Sequence, residues 1–115
     1  MRTNIITLQL PTSVNRTYKS GNGHFYKSQE ARDWEEKATY ALIKSGYRQK
    51  HKMIEGILGL RIDFYLKRDR DCDSGIKLLM DFLQNKVYRN DRQVKHLIVE
   101  KFEDKINPRV EITIL

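Results

Sequence analysis

The chain has 115 residues, 39% of them hydrophobic and 32% charged, which is typical of one globular domain over residues 1–115 and excludes a disordered chain. Its formal net charge is +7, and a surplus of this size favours a polyanionic partner such as nucleic acid. The single cysteine excludes an internal disulfide and a cysteine-based zinc site. Because the apolar runs are too short to cross a bilayer and no signal-peptide pattern is present, we expect a cytoplasmic protein without a membrane partner. No glycine-rich phosphate-binding motif is present, so no nucleotide cofactor is expected.

A strand and a hairpin are predicted before the first helix. In residues 4–10 apolar and polar side chains alternate, which predicts a strand that ends at Pro11. Residues 16–27 are typical of two short β segments, because glycines at both ends of the stretch 21–23 favour a turn between them.

The first helix is predicted from Ser28 to Ser45. Ser28 can accept a hydrogen bond as its N-cap, and Gly46 can end it. The following residues, 47–55, are polar and basic and are expected to form a loop. The positions predicted to form the buried stripe of this helix are Ala31, Trp34, Ala38, Leu42 and Ser45.

The second half of the chain begins with the clearest strand, residues 57–67, in which apolar side chains occupy every second position. A second helix is predicted from about Gly75 to Lys86. Strands near 96–103 and at 109–115 complete the domain. This order predicts an α+β protein in which two main helices pack on a mixed or antiparallel sheet.

Aspartates alternate with other residues in the stretch RDRDCDSG, residues 68–75. Positions two apart point to the same side of an extended chain, so the Cα atoms of Asp71 and Asp73 would lie roughly 6.5–7 Å apart with both carboxylates on one side. Such carboxylates repel each other unless a cation binds, and Mg²⁺ prefers carboxylate and water oxygens. Asp91 is a candidate third ligand if the second helix returns the chain to the end of the strand. A solvated loop of mixed charge is the alternative at this point.

The second helix combines a polar line with two apolar stripes. Lys77 and Asp81 are four residues apart and share the polar line. We therefore expect Lys77 to be less solvated than usual and able to neutralise charge on a phosphate. Leu78 and Phe82 form the second apolar stripe, which we predict to lie at a subunit interface.

The order of these residues resembles the RusA-like Holliday junction resolvases, a family of small endonucleases common in phages and prophages. The family pattern is an arginine, two aspartates separated by one residue, a lysine, a further aspartate, an aromatic residue, another aspartate and Gln-Val. A second part of the pattern precedes the first helix. The family usually has asparagine where this chain has Ser74. The residues that carry the resemblance are Arg70, Asp71, Asp73, Lys77, Asp81, Leu83, Tyr88, Asn90, Asp91, Gln93 and Val94, preceded by Pro11, Ser13, Asn15, Tyr18, Tyr26 and Ser28.

The resemblance implies a Mg²⁺-dependent endodeoxyribonuclease that resolves Holliday junctions by paired strand cleavage, with Mn²⁺ as an alternative ion. It implies that Asp71, Asp73 and Asp91 are catalytic and hold the metal, and that Lys77 is the essential basic residue. It also implies a homodimer. Because a four-way junction is nearly two-fold symmetric, a C2 dimer would place one active site on each of two opposed strands.

Basic side chains suited to the phosphates of branched DNA occur beside aromatic residues before the first helix and around the aspartates. Tyr26 is expected to pack on the core, and residues 47–52 are a further phosphate-binding segment. Two other functions remain open, a non-catalytic basic nucleic-acid-binding module and a nuclease that acts on flaps or forks. The candidates for DNA contact are Arg16, Lys19, Lys27, Lys67, Arg68 and Arg70.

Overall fold

The computed structural model describes residues 5–11, 18–21, 24–70 and 73–115, and these have the predicted α+β architecture. No helix among them is long and apolar enough to span a membrane. The strands are β1 (Ile5–Leu8), β2 (Tyr18–Gly21), β3 (His24–Lys27), β4 (Leu58–Leu66), β5 (Val94–Glu103) and β6 (Arg109–Ile114). The helices are α1 (Gln29–Ser45), α2 (Tyr47–Lys50) and α3 (Asp73–Leu83), and a 3-10 turn covers Asp91–Gln93.

A mixed sheet in the order β1-β6-β4-β5 is the framework of the chain. Strand β4 pairs in parallel with β5 and antiparallel with β6, and β6 pairs antiparallel with β1. A tight turn cannot join parallel neighbours, so the chain crosses over from β4 to β5 through α3. Strands β2 and β3 form a separate hairpin. The predicted mixed sheet and the predicted hairpin are both confirmed.

Strand β4 supplies the centre of the core. Apolar side chains occupy every second position of this strand and therefore share one face. Leu60 and Phe64 are fully buried and pair in register with Ile114 and Val110 of β6. Buried side chains of α1 and α3 join the same apolar cluster. The helices therefore cover one face of the sheet.

Trp34 of α1 connects the two helices and the end of the first strand. Its ring meets the ring of Phe82 edge to face, with centroids 5.4 Å apart. Its indole Nε1 donates a hydrogen bond to the carbonyl of Gln9 at 2.8 Å. The prediction that Trp34 belongs to the core is confirmed.

Both predicted ends of α1 are confirmed. The hydroxyl of Ser28 accepts a hydrogen bond from the amide of Ala31 at 3.1 Å. Gly46 has a φ of 75°, a left-handed conformation that ends the helix, and its amide donates to the carbonyl of Ile43. Four of the five predicted stripe positions are buried, whereas Ser45 is exposed.

The segment 47–55, which the sequence predicts as a loop, begins instead with the helical turn α2. Tyr47 is buried, and its ring stacks on the ring of His51 with centroids 4.5 Å apart. The amide of His51 also donates to the carbonyl of Tyr47 at 2.9 Å. One aromatic residue among polar ones has no periodicity, so the pattern could not predict this turn.

Helix α3 starts at Asp73, two residues before the predicted start, and ends at Leu83, three residues before the predicted end. Asn85 follows the helix with a φ of 65°, in the left-handed region where a helix cannot continue. The amide of Asn85 donates to the carbonyl of Tyr88 at 2.6 Å, which closes the chain reversal. This tight turn brings the residues after α3 back against it.

The prediction that Leu78 and Phe82 form a subunit interface is wrong. Leu78 is 0% exposed and Phe82 is 1% exposed within the single chain. Helix α3 has two apolar stripes because side chains of the same chain cover both of them, and the contact between Phe82 and Trp34 is part of this packing.

Replacing the buried Leu78 by alanine tests this correction. We expect Leu78→Ala to lower the free energy of unfolding by about 2–5 kcal/mol, because the cavity it leaves lies inside the chain. Urea unfolding at two protein concentrations measures the loss, which should be the same at both. Ile43→Ala, at an exposed position of α1, is the control and should change stability little. A change in assembly without a loss of stability would contradict the packing described above.

Candidate active site

Asp91 begins a short 3-10 turn that its own neighbours hold in place. The side chain of Asn90 accepts a hydrogen bond from the amide of Arg92 at 2.8 Å. The side-chain oxygen of Gln93 accepts from the amides of Arg89 and Asn90, each at 2.9 Å. This reciprocal arrangement is a capping box, and it fixes the backbone from which the Asp91 carboxylate projects.

Two glutamine side chains connect this turn to the rest of the fold. The oxygen of Gln84, which follows α3, accepts from the amide of Asp91 at 3.1 Å. The nitrogen of Gln93 donates to the carbonyls of Ile54 and Gly56, both at 2.9 Å. The turn is thus attached to the end of α3 on one side and to the segment before β4 on the other.

The hydroxyl of Tyr88 lies between helix α3 and the Asp91 carboxylate. It is 3.0 Å from the carbonyl of Met80 and 3.1 Å from Oδ1 of Asp91, and the side chain is fully buried. Burial raises the pKa of the Tyr88 phenol well above its usual value, and the charge and hydrogen bond of Asp91 and the charge of Asp81 raise it further. The phenol therefore stays protonated and remains a donor at neutral pH.

Three charged residues that the sequence analysis singled out occupy one face of α3. Asp73, Lys77 and Asp81 are four residues apart and so share a face. Asp73 is the first residue of the helix, and Asp81 is half-buried beside Tyr88. The expectation that Lys77 is poorly solvated is wrong, because its side chain is exposed. The hydroxyl of Tyr88 connects Asp91 to this helix, because it is also 3.0 Å from the carbonyl of Met80.

Asp71 and Arg16 lie outside the described residues, and so do the side chains of Asp73 and Lys19. Among the described side chains, no group of three His, Cys, Asp or Glu is placed to hold a metal ion. The predicted donor set fits a hard cation, because a set made of aspartates offers oxygen ligands and no thiolate or imidazole. Asp91 is the member of this set whose side chain is described, and its carboxylate is already oriented by Tyr88.

The segment before Asp71 is held from two sides. The guanidinium of Arg70 donates to the carbonyl of Pro11 at 2.9 Å. The ammonium of Lys101 lies 2.8 Å from the carboxylate of Asp69 and 3.2 Å from the carbonyl of Arg70. The hydrogen bond from Lys101 lowers the pKa of the Asp69 carboxyl. Lys101 is thus a supporting residue that the sequence reasoning missed.

The sequence signal for Lys101 was the alternation in β5, where it takes the position after Leu97 and Val99 on the same face. Lys101 pairs with Phe64, so it lies on the face of the sheet that the helices cover. A lysine on the same face as Leu97 and Val99 is unusual for a strand, and it marks the place where that face ends beside the loop.

The remaining candidates for DNA contact differ in their surroundings. Lys67 and Arg68 are exposed. Lys27 forms an ion pair with Glu35 at 2.8 Å. The expectation that Tyr26 packs on the core is wrong, because its side chain is 46% exposed.

Comparison with known protein families identifies the family of the chain. Residues 9–115 match the family described as endodeoxyribonuclease RusA. The chain belongs to the RusA endodeoxyribonuclease family. The resemblance predicted from the motifs is therefore confirmed, and the activity class of this RusA-family chain is hydrolysis of phosphodiester bonds in DNA. No individual curated protein matches the sequence.

Removal of the Tyr88 hydroxyl tests how Asp91 is supported. We expect Tyr88→Phe to lower the free energy of unfolding by about 1–2 kcal/mol, because a buried hydrogen bond is lost. Urea unfolding at pH 7 measures this loss. Tyr40→Phe, at an exposed tyrosine, is the matched control and should be neutral. Equal stabilities of the two variants would contradict the role assigned to the buried hydroxyl.

The raised pKa of Tyr88 also predicts an alkaline loss of stability. The unfolded chain releases the phenol proton near pH 10, whereas the folded chain retains it. The stabilisation from this shift is fully present below about pH 10 and is lost as the pH rises further. Unfolding midpoints between pH 8 and 11 should therefore fall more steeply for the wild type than for Tyr88→Phe. Parallel curves would show that Tyr88 is not the group responsible.

Proposed function

We propose that this chain is a Mg²⁺-dependent endonuclease that resolves Holliday junctions as a homodimer by paired strand cleavage, with Mn²⁺ as an alternative ion. Membership of the RusA family supports the reaction class. The observation that carries the assignment of residues is the carboxylate of Asp91, which a buried tyrosine holds against the helix that begins at Asp73 and carries Lys77.

Asp71, Asp73 and Asp91 would hold the metal ion. A bound Mg²⁺ would supply a water nucleophile and would neutralise charge on the scissile phosphate. The protein contributes the direction of the Asp91 carboxylate, because the hydroxyl of Tyr88 and the side chain of Gln84 hold this residue from two sides. A carboxylate held in this way loses little rotamer freedom when an ion binds.

Lys77 would neutralise negative charge that develops on the phosphate. Its ammonium is on an exposed surface of α3, four residues after Asp73, so a DNA strand can reach it from solvent. An ammonium placed beside the reacting phosphate stabilises the transition state more than the ground state, because charge increases there during the reaction.

The basic residues around the site would contact successive phosphates of the DNA backbone. Lys67 and Arg68 are exposed immediately before the aspartates, and their contacts with phosphates would be weakened by salt. Arg70 also holds the segment before Asp71 through its hydrogen bond to the carbonyl of Pro11. Replacing Arg70 would therefore change the position of this segment as well as its charge. Arg16, Lys19 and Lys27 are further candidates for phosphate contact from the N-terminal part of the sequence.

Replacing the Asp91 carboxylate tests the proposed catalytic role. We expect Asp91→Asn to lower the rate of junction cleavage by about 10³-fold or more, with junction binding retained, because the change removes charge and keeps the shape. Asp33→Asn, which alters an exposed carboxylate of α1, is the matched control. EDTA should abolish wild-type cleavage, and Mg²⁺ or Mn²⁺ should restore it. Full cleavage by Asp91→Asn would remove this residue from the mechanism.

The choice of substrate needs a direct comparison. Cleavage rates on a four-way junction, a fork, a flap and a linear duplex, measured at equal DNA concentration, rank the substrates. We expect paired nicks in opposed strands of the junction to predominate. Sedimentation over a range of protein concentrations tests the homodimer. A preference for flaps or forks would keep the nuclease chemistry and replace the proposed substrate.

A further inference from the structure

A groove of about 370 Å³ lies beyond the C-terminal end of α3, away from the helix start where Asp73 is found. One wall is α2 with the segment that follows it, and the other includes Lys86, three residues after α3. The walls are joined, because the amide of Ile54 donates to the carbonyl of Val87 at 2.8 Å. We call this feature the basic groove.

The basic groove concentrates positive charge. Its lining includes four cations, Arg48, Lys50, Lys52 and Lys86, and no acidic side chain among the described residues that line it. The first three are exposed. Four cations around one concave surface repel each other in water, and a polyanion that binds there relieves this repulsion.

Lys86 is held in the groove by the end of α3. Its ammonium donates to the carbonyl of Phe82 at 3.0 Å and lies 4.4 Å from the centroid of the Phe82 ring. Because Phe82 is buried, this cation has a fixed position before any ligand binds. A lysine that is already ordered loses less entropy when it contacts a phosphate.

The electrostatic surroundings of Lys86 agree with an anion site. Burial is the main cause that lowers the pKa of its ammonium. Glu35 opposes this effect, whereas Arg48 and Lys27 lower the pKa further. Glu35 is itself paired with Lys27 at 2.8 Å, so the neighbouring negative charge is already engaged.

The arrangement of α2 also favours a fixed binding surface. The buried ring of Tyr47 anchors this short helix, and His51 stacks on it. Arg48 and Lys50 therefore project from a backbone that is tied to the core. The basic segment 47–52 is thus an ordered wall and not a free loop.

We propose that the basic groove binds the phosphodiester backbone of a duplex arm of the DNA substrate, outside the catalytic centre; this rests on the function proposed above. Helix α3 has 11 residues and is about 16 Å long at 1.5 Å per residue. Phosphates follow each other every 3.4 Å along one strand. A phosphate in the groove is therefore about five nucleotides along a strand from a phosphate beside Asp73, the first residue of the helix.

The test compares two double variants that remove the same charge. Arg48→Gln with Lys52→Gln alters the groove, and Lys37→Gln with Lys105→Gln alters exposed lysines elsewhere. Binding of a four-way junction is measured in EDTA from 50 to 300 mM salt. We expect the groove variant to bind about 10–100-fold more weakly at 0.1 M salt, with the slope of log K against log[salt] reduced by about 1.8. The control variant should keep most of the wild-type affinity and slope.

A chemically altered junction locates the contact. Neutral methylphosphonates replace the phosphates about four to six nucleotides from the scissile phosphate. We expect this junction to lose affinity for the wild type and to lose nothing further for the groove variant, because both changes remove the same contact. A second pair, Lys50→Gln with Lys52→Gln, should reproduce the result if the first pair alters folding.

The outcomes separate this proposal from the proposed function. Equal affinities and slopes of the groove and control variants would overturn the groove proposal. So would an additive loss when the altered junction is combined with the groove variant. Cleavage of the unmodified junction by the wild type, measured with Mg²⁺, decides the proposed function separately.

Discussion

The buried hydroxyl of Tyr88 is the contact on which the candidate site depends. It lies within hydrogen-bond distance of a carbonyl of α3 and of the Asp91 carboxylate, so it connects the crossover helix to the turn that follows. No solvent reaches this side chain, and a hydrogen bond in such a position is costly to lose. The aromatic ring also fixes the position of the hydroxyl because it is packed in the core.

Periodicity predicted the framework of the fold because the signals are local. The alternation in β4, the stripe of α1 and its two caps each follow from residues near one another in the chain. Which surface covers an apolar stripe depends on tertiary packing instead. The sequence shows that Leu78 and Phe82 are apolar, but it does not show that Trp34 lies against them. The assignment to a subunit interface failed for this reason.

The sequence offered charged candidates for the site but not the residues that support one of them, Asp91. Asp91 was expected to come back beside Asp71 and Asp73, and this stays a prediction; the structure shows its amide donating to the side chain of Gln84, which follows α3. Gln84 and Gln93 hold its turn by amide hydrogen bonds, and such bonds have no periodic pattern in a sequence. Lys101 was missed because its role depends on the register of β5 with β4, which only the folded sheet defines.

The segment from Ile54 to Gly56 is hydrogen-bonded on two sides. Its carbonyls accept from Gln93 in the turn that carries Asp91, and its amide at Ile54 is bonded to the chain beside Lys86. If ligands on both sides order this same segment, each raises the affinity for the other, and thermodynamic reciprocity requires the two factors to be equal.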